Sequence, residues 1–124
     1  MKEKILVIED DHLILANILE LLELEDLQAI GAENGLIGLD LAKKEMPSLI
    51  ISDINMPGMD GIEVLQALRQ DPETAKIPFI IMTGDTTNME RLQSLELKAD
   101  GYLLKPVTLD KFIEAIETHL GKRG

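Results

Sequence analysis

The sequence predicts an α/β fold, a doubly wound parallel sheet of five strands built from five βα units. Two observations predict it. Five short runs rich in Ile and Val alternate with longer segments of helical period, the pattern of βαβ units around a parallel sheet. The first, third and fourth runs are apolar almost throughout, as strands covered by helices on both faces require. A chain of 124 residues, 45% hydrophobic and 28% charged, has the size and composition of one globular domain. It is long enough to bury a core without disulfides or a metal staple. A single domain is therefore expected over 1–124, with its core at about 3–120 and a short tail, Gly121-Lys122-Arg123-Gly124.

The strand-like runs are Lys4 to Ile8, Leu27 to Ala32, Leu49 to Ser52, Phe79 to Met82 and Tyr102 to Leu104. The second is mixed in polarity and the fifth is short, which suits the edges of the sheet. The first helix is expected from Asp11 to Leu24. At about 100° per residue, Ile14, Leu15, Ile18, Leu19, Leu21 and Leu22 gather on one arc, while Leu13 and Leu24 fall on the polar side. Asn34 is placed to cap a second helix that runs to about Glu45 and stops before Pro47. Asp60-Gly61-Ile62-Glu63 has the outline of a capping box opening a third, which ends near Asp71-Pro72. Thr87-Asn88-Met89-Glu90 opens a fourth in the same way. Thr108 precedes a fifth, whose apolar face is Leu109, Phe112, Ile113, Ile116 and Leu120. Right-handed crossovers and two helix layers favour the flavodoxin-like strand order 2-1-3-4-5, although periodicity alone does not fix strand order.

Composition argues against several classes of function. There is no cysteine, hence no disulfide framework and no thiolate metal or redox chemistry; a reducing compartment fits, and a cytoplasmic protein is expected. No apolar stretch approaches the roughly 20 residues that cross a bilayer. Met1-Lys2-Glu3-Lys4-Ile5 runs straight into a strand instead of a signal peptide, so no membrane partner is expected. The formal net charge of -11 argues against nucleic acid, whose phosphates repel an acidic surface. Acidity by itself also serves solubility; it becomes functional only where carboxylates converge.

In an open parallel sheet, ligands bind beyond the carboxyl ends of the strands, and here those ends carry the chemistry. The first run ends in Glu9-Asp10-Asp11, the third at Asp53, the fourth in Thr83-Gly84-Asp85 and the fifth in Lys105-Pro106. Two carboxylates about 4 Å apart repel by roughly 4 kcal/mol at an effective dielectric of about 20. Glu9, Asp10 and Asp53 crowded on one rim therefore need a cation. Mg2+ fits best, because it takes oxygen ligands, accepts one or two carboxylates plus waters, and accompanies phosphate. Without histidine or cysteine in the set, zinc is disfavoured. Taken alone, Asp11 is a helix cap, and an acidic pair after a strand is more often merely solvated. His12 heads an amphipathic helix and is read as non-catalytic. Pro57-Gly58 suits the centre of a type II turn, and the glycine-rich nucleotide loops are absent.

The combination is more specific than its parts. Ile5-Leu6-Val7-Ile8-Glu9-Asp10-Asp11, Asp53-Ile54-Asn55-Met56-Pro57-Gly58-Met59-Asp60-Gly61, Thr83 and Lys105-Pro106 together resemble the receiver domains of response regulators in bacterial two-component systems, chemotaxis regulators among them. The resemblance runs over about residues 3–120. It implies a phosphorelay switch that accepts a phosphoryl group on Asp53. It also implies a Mg2+ site at Asp53, at Asp10 as direct ligand, at Glu9 through water and at the backbone carbonyl of Asn55. Thr83 and Lys105 would contact the phosphoryl oxygens, and Tyr102 would be the aromatic switch residue, turning inward once Thr83 moves. A cis Lys105-Pro106 bond belongs to the same pattern. Gly84 stands where the family usually has alanine. Asn55 and Asp85 occupy positions that tune phosphoryl lifetime, which leads to an expectation of comparatively fast self-dephosphorylation.

The implied partners are a sensor histidine kinase or histidine phosphotransfer protein as donor, and a downstream effector or attached output domain as reader. Direct nucleic-acid contact by this domain is not expected. Leu13 is a candidate contact for the donor helix, and a phosphorylation-dependent dimer through the fourth and fifth helices is left open. On this reading the chain is a signalling switch that catalyses only its own phosphorylation and dephosphorylation. One alternative is a small Mg-dependent haloacid-dehalogenase-like phosphatase, whose motif normally carries a second Asp where Asn55 stands. Another is a degenerate receiver acting only as an interaction module, against which the full acidic, Thr and Lys set speaks.

Overall fold

Alternate residues of each strand-like run part to opposite sides, and this alternation builds the core in two layers. The computed structural model describes residues 3–84 and 89–120. Five strands, β1 (Lys4–Ile8), β2 (Gln28–Ala32), β3 (Leu49–Asp53), β4 (Phe79–Thr83) and β5 (Gly101–Leu104), are interleaved with five helices. The helices are α1 (His12–Leu24), α2 (Gly35–Glu45), α3 (Gly61–Gln70), α4 (Met89–Ser94) and α5 (Leu109–Leu120). All neighbouring strands pair in parallel, in the order β2-β1-β3-β4-β5. The expected fold class, strand order and edge positions are those observed.

On one side of the sheet Leu6, Ile8, Ile50, Phe79 and Ile81 pack against α2, α3 and α4, whose contributions include Leu39, Ile62, Leu65, Leu68 and Leu92. On the other, Ile5, Val7, Leu49, Ile51, Ile80 and Met82 pack against Leu15, Ile18 and Leu22 of α1 and Phe112 and Ile116 of α5. Burying a side chain of this size contributes about 1.5–3 kcal/mol. The three central strands, covered on both faces, thus carry much of the hydrophobic stabilisation. None of the described helices is long and apolar enough to cross a membrane.

The caps form as their residue types require. Asp11 accepts from the N–H groups of Leu13 and Ile14 at 3.0 and 3.1 Å, Asn34 from Ile37 at 2.8 Å, and Thr108 from Lys111 at 3.3 Å. The box at α3 is reciprocal: Glu63 N–H donates to Asp60 at 2.9 Å and Asp60 N–H to Glu63 at 3.1 Å. Thr87 and Asn88 of the fourth expected cap, together with Asp85 and the tail 121–124, lie outside the described residues.

Three boundaries differ from expectation for one reason. β3 reaches Asp53, β4 reaches Thr83 and β5 begins at Gly101, because backbone pairing continues beneath polar or missing side chains where an apolar run stops. Asp53 is in register with Met82, and Thr83 with Leu104. β2, conversely, starts after Leu27, which is buried but unpaired in the ladder. On α1, Leu13 and Leu24 are exposed as expected, but so is Ile14. The expected arc is wider than the sheet it covers, and Ile14 and Leu21 instead line a groove of about 500 Å³ with Pro106, Val107 and Phe112.

Because every strand runs the same way, all the β-to-α turns lie at the carboxyl edge of the sheet. α5 then returns toward the opposite edge, so residues 3 and 120 both lie at the end remote from those turns. At that remote end Arg69, on the last turn of α3, donates to the carbonyls of Ala75 (3.1 Å) and Ile77 (2.8 Å) and to Asp100 Oδ2 (2.9 Å). The same carboxylate oxygen accepts from Phe79 N–H at 2.8 Å. One side chain thereby ties α3, β4 and the approach to β5. Asp100→Ala is expected to lower unfolding free energy by about 1–3 kcal/mol, read as a lower urea midpoint at unchanged denaturant slope; an unchanged midpoint would dismiss the tie.

Candidate functional site

Glu9 continues β1 by one residue, its N–H donating to Ala32 O at 3.0 Å. Its carboxylate is only 1% exposed, and Asp11 N–H donates to it at 3.2 Å. Asp10 is exposed beside it. Asp53 closes β3 and is buried, with Oδ1 accepting from Ile54 N–H at 2.8 Å. The chain then turns away through Gly58, whose φ of 76° is the left-handed value required at the third position of a type II turn. It comes back at Gly61, which donates to Ile54 O at 3.0 Å. A Cβ at Gly61 would collide with the Asp53 carbonyl, so the start of α3 rests directly on the backbone that carries the acid.

These turns bring one oxygen each of Glu9, Asp10 and Asp53 within 4.8 Å of one another. Lys105 arrives from the far side of β4: its N–H donates to Thr83 O at 2.8 Å, and its peptide bond to Pro106 is cis. Its Nζ lies 2.9 Å from Glu9 Oε1 and 2.9 Å from Asp53 Oδ2. Thr83 is buried at the end of β4 and is joined to Lys105 through that backbone bond. The structure thus gathers Glu9, Asp10, Asp53, Thr83 and Lys105 at one rim. Asn55 follows in the loop, exposed. Tyr102 is on the outer surface of β5, 44% exposed, over a hollow lined by Leu92, Gln93, Glu96, Leu97 and Lys98.

Burial pushes the Glu9 carboxyl above its ordinary value; the hydrogen bonds from Lys105 and the Asp11 N–H oppose this, and the charge of Asp53 adds to it. Burial pulls Lys105 down, but its bonds to Asp53 and Glu9 outweigh that and leave it raised. Lys105 therefore keeps its proton, and its contribution to stability is lost only as pH rises through that raised value.

Residue types gave no warning of some features. The second partner of Lys105, Glu9, is one, and the backbone donors that orient both buried acids are another. A third is the ion pair between Arg91 on α4 and Asp60, with Nη1 to Oδ2 at 2.6 Å, which fastens α4 to the cap of α3. The two ion pairs join residues far apart in the chain and so have no fixed sequence spacing. The lone polar Ser52 inside an apolar strand was the one readable signal of built-in polar contacts.

The family model described as "Response regulator receiver domain" matches residues 5–117. The polar-differentiation response regulator DivK of Brucella anthropi is 32% identical over 121 residues, covering 98% of each chain. Histidine kinase P4 of Formosa agariphila is 37% identical over 122 residues, which are 98% of this chain and 9% of that protein. Among solved structures, the chemotaxis protein CheY4 of Vibrio cholerae superposes with a TM-score of 0.89 at 26% identity, over 97% of this chain and 100% of that one. The chain belongs to the response regulator receiver domain family, a family of signalling switches, and the acidic cluster fits its phosphorylation site.

A group raised in the folded state, as Glu9 is, contributes stability that is present below its ordinary pKa and lost as pH rises through the folded one. In metal-free protein the stability of wild type relative to Glu9→Gln should therefore fall as pH is raised from 4.5 toward neutrality. Urea denaturation across that range checks it; a difference that grows with pH would contradict the shift.

Proposed function

We propose that the chain takes a phosphoryl group onto Asp53 from a phosphohistidine of a sensor kinase or phosphotransfer protein, and relays it as a change of surface. The observation that carries this reading is the meeting of three carboxylates with Lys105 at one rim. Glu9, Asp10 and Asp53 offer only hard oxygen ligands, the donor set Mg2+ prefers, and with the Asn55 carbonyl they would hold that ion. When bound, Mg2+ would offset negative charge on the transferring oxygens.

The chain's own residues supply the rest. Ile54 N–H fixes Asp53 Oδ1 and leaves Oδ2 to attack phosphorus; the O–P bond forms as the donor's P–N bond breaks, and the imidazole nitrogen keeps that electron pair and takes up a proton. Lys105, already 2.9 Å from Asp53, neutralises charge on the phosphoryl oxygens, and Thr83 bonds them through its hydroxyl. The phosphoryl group carries about 1.5 to 2 negative charges, in place of the single charge of the free Asp53 carboxylate. Thr83, drawn toward it, vacates space into which Tyr102 turns from its exposed position. That alters the face where Leu95, Tyr102 and Leu104 are exposed, which an effector or attached output domain would read. Water removes the phosphoryl group at the same site, so the domain catalyses only its own phosphorylation and dephosphorylation. The reading sets this exchange in the cytoplasm.

Treatment with acetyl phosphate should add one phosphoryl mass to wild type in the presence of Mg2+ and none to Asp53→Ala. Equal labelling of the two, or labelling indifferent to Mg2+, would refute the site. Donor docking is assigned to the N-terminal half of α1, where Leu13 is 76% exposed next to the groove of Ile14, Leu21 and Val107. Leu13→Glu should slow transfer from a phosphorylated histidine partner about tenfold or more while labelling by acetyl phosphate stays at the wild-type rate. Parallel loss of both would point to damage at the acceptor instead.

A further inference from the structure

Five polar or charged residues are buried among those described: Glu9, Ser52, Asp53, Thr74 and Thr83. Three belong to the acidic rim, and Thr74 bonds the carbonyl of Leu68 at the end of α3 at 2.8 Å. Ser52 is left over. It has no exposed surface, and by strand alternation its side chain shares a face with Ile50 and Ile54, on the side of the sheet whose core is apolar throughout, mostly Ile and Leu. A hydroxyl there costs free energy unless it is bonded, and an aliphatic side chain would gain apolar burial in its place.

The bond it makes is specific. Ser52 Oγ donates to the backbone carbonyl of Asp53 at 2.8 Å. That carbonyl is one end of the peptide group whose other end, Ile54 N–H, donates to Asp53 Oδ1 at 2.8 Å. A peptide group is planar and rigid, so fixing its oxygen also fixes the direction of its N–H. We infer that Ser52 is a positioning residue for phosphoryl acceptance: through the Asp53–Ile54 peptide it sets the rotamer of the Asp53 carboxylate, keeping Oδ1 tied and Oδ2 presented to the rim.

Gly61 supports the same alignment from the other side. It packs so closely on the Asp53 carbonyl that no side chain fits there, and its N–H bonds the next carbonyl, that of Ile54, at 3.0 Å. Ser52 and Gly61 together hold the peptide, but only Ser52 does so with a side-chain group that can be removed without forcing atoms apart. Ser52 touches neither the phosphoryl group nor a metal; it acts through the peptide alone. Orientation of a nucleophile within the strained tolerance of in-line attack governs rate steeply, so a freed carboxylate should react more slowly even when Mg2+ is saturating.

The inference rests on Asp53 being the acceptor, and the experiment separates the two. In 15N-labelled, metal-free protein, Ser52→Ala should move the Ile54 amide proton upfield and speed its exchange with solvent. Phosphorylation by acetyl phosphate at saturating Mg2+ should then be about tenfold slower. Ser52→Cys fills the same space but donates only weakly, and should fall within about threefold of alanine. An Ile54 amide unmoved in Ser52→Ala, a wild-type rate in that variant, or full recovery by cysteine would overturn the inference. Wild type that takes no phosphoryl group at Asp53 would sink the reading of the acceptor, while the amide response would still decide whether Ser52 holds the peptide.

Discussion

Three carboxylates within 4.8 Å of one another repel, and the ammonium of Lys105, shared between Glu9 and Asp53 at 2.9 Å each, is what makes their proximity tenable. Two of the acids are almost wholly buried, so water cannot screen them, and leaving one without its partner would cost about 3–5 kcal/mol. Among the described residues the fold accepts this concentration of acidic charge at one place. Elsewhere the described interior is apolar, or its polar atoms are bonded.

What holds the acids together is the uniform direction of the sheet. β3 and β4 end in Asp53 and Thr83 and β1 runs directly into Glu9, and strands packed side by side must deliver those positions to one edge. The loops then work at close range. Gly58 turns the chain back, Gly61 lets α3 begin against the acceptor's own backbone, and Asp60 both caps that helix and receives Arg91 from α4. The acidic rim and the outer face around Tyr102 are thus joined by a short path of ion pair, cap and peptide.

Much of this was legible in the amino-acid order. The apolar runs at Leu6, Ile50 and Phe79 announced buried parallel strands, and the caps at Asn34, Asp60 and Thr108 formed as their residue types require. The acids, Thr83 and Lys105 were legible because strand ends must share an edge. Boundaries were less so. Hydrogen-bonded pairing extends through Asp53 and Thr83 regardless of side-chain polarity, and an apolar pattern has no term for that. Ile14 looked like core because helical phase places it on the apolar arc, but phase does not report how wide the opposing sheet is. Contacts between a side chain and a distant backbone atom, such as Arg69 with Ile77, depend on tertiary distance and leave no periodic trace.

The return path of α5 has a bearing on architecture. With residues 3 and 120 both at the edge opposite the acids, polypeptide joined at either side would extend away from the reactive mouth and leave it open to a visiting protein. That geometry suits modular use, and histidine kinase P4 carries a region resembling this chain within a much longer sequence. A unit arranged in this way can be spliced into larger polypeptides without redesign of its chemistry.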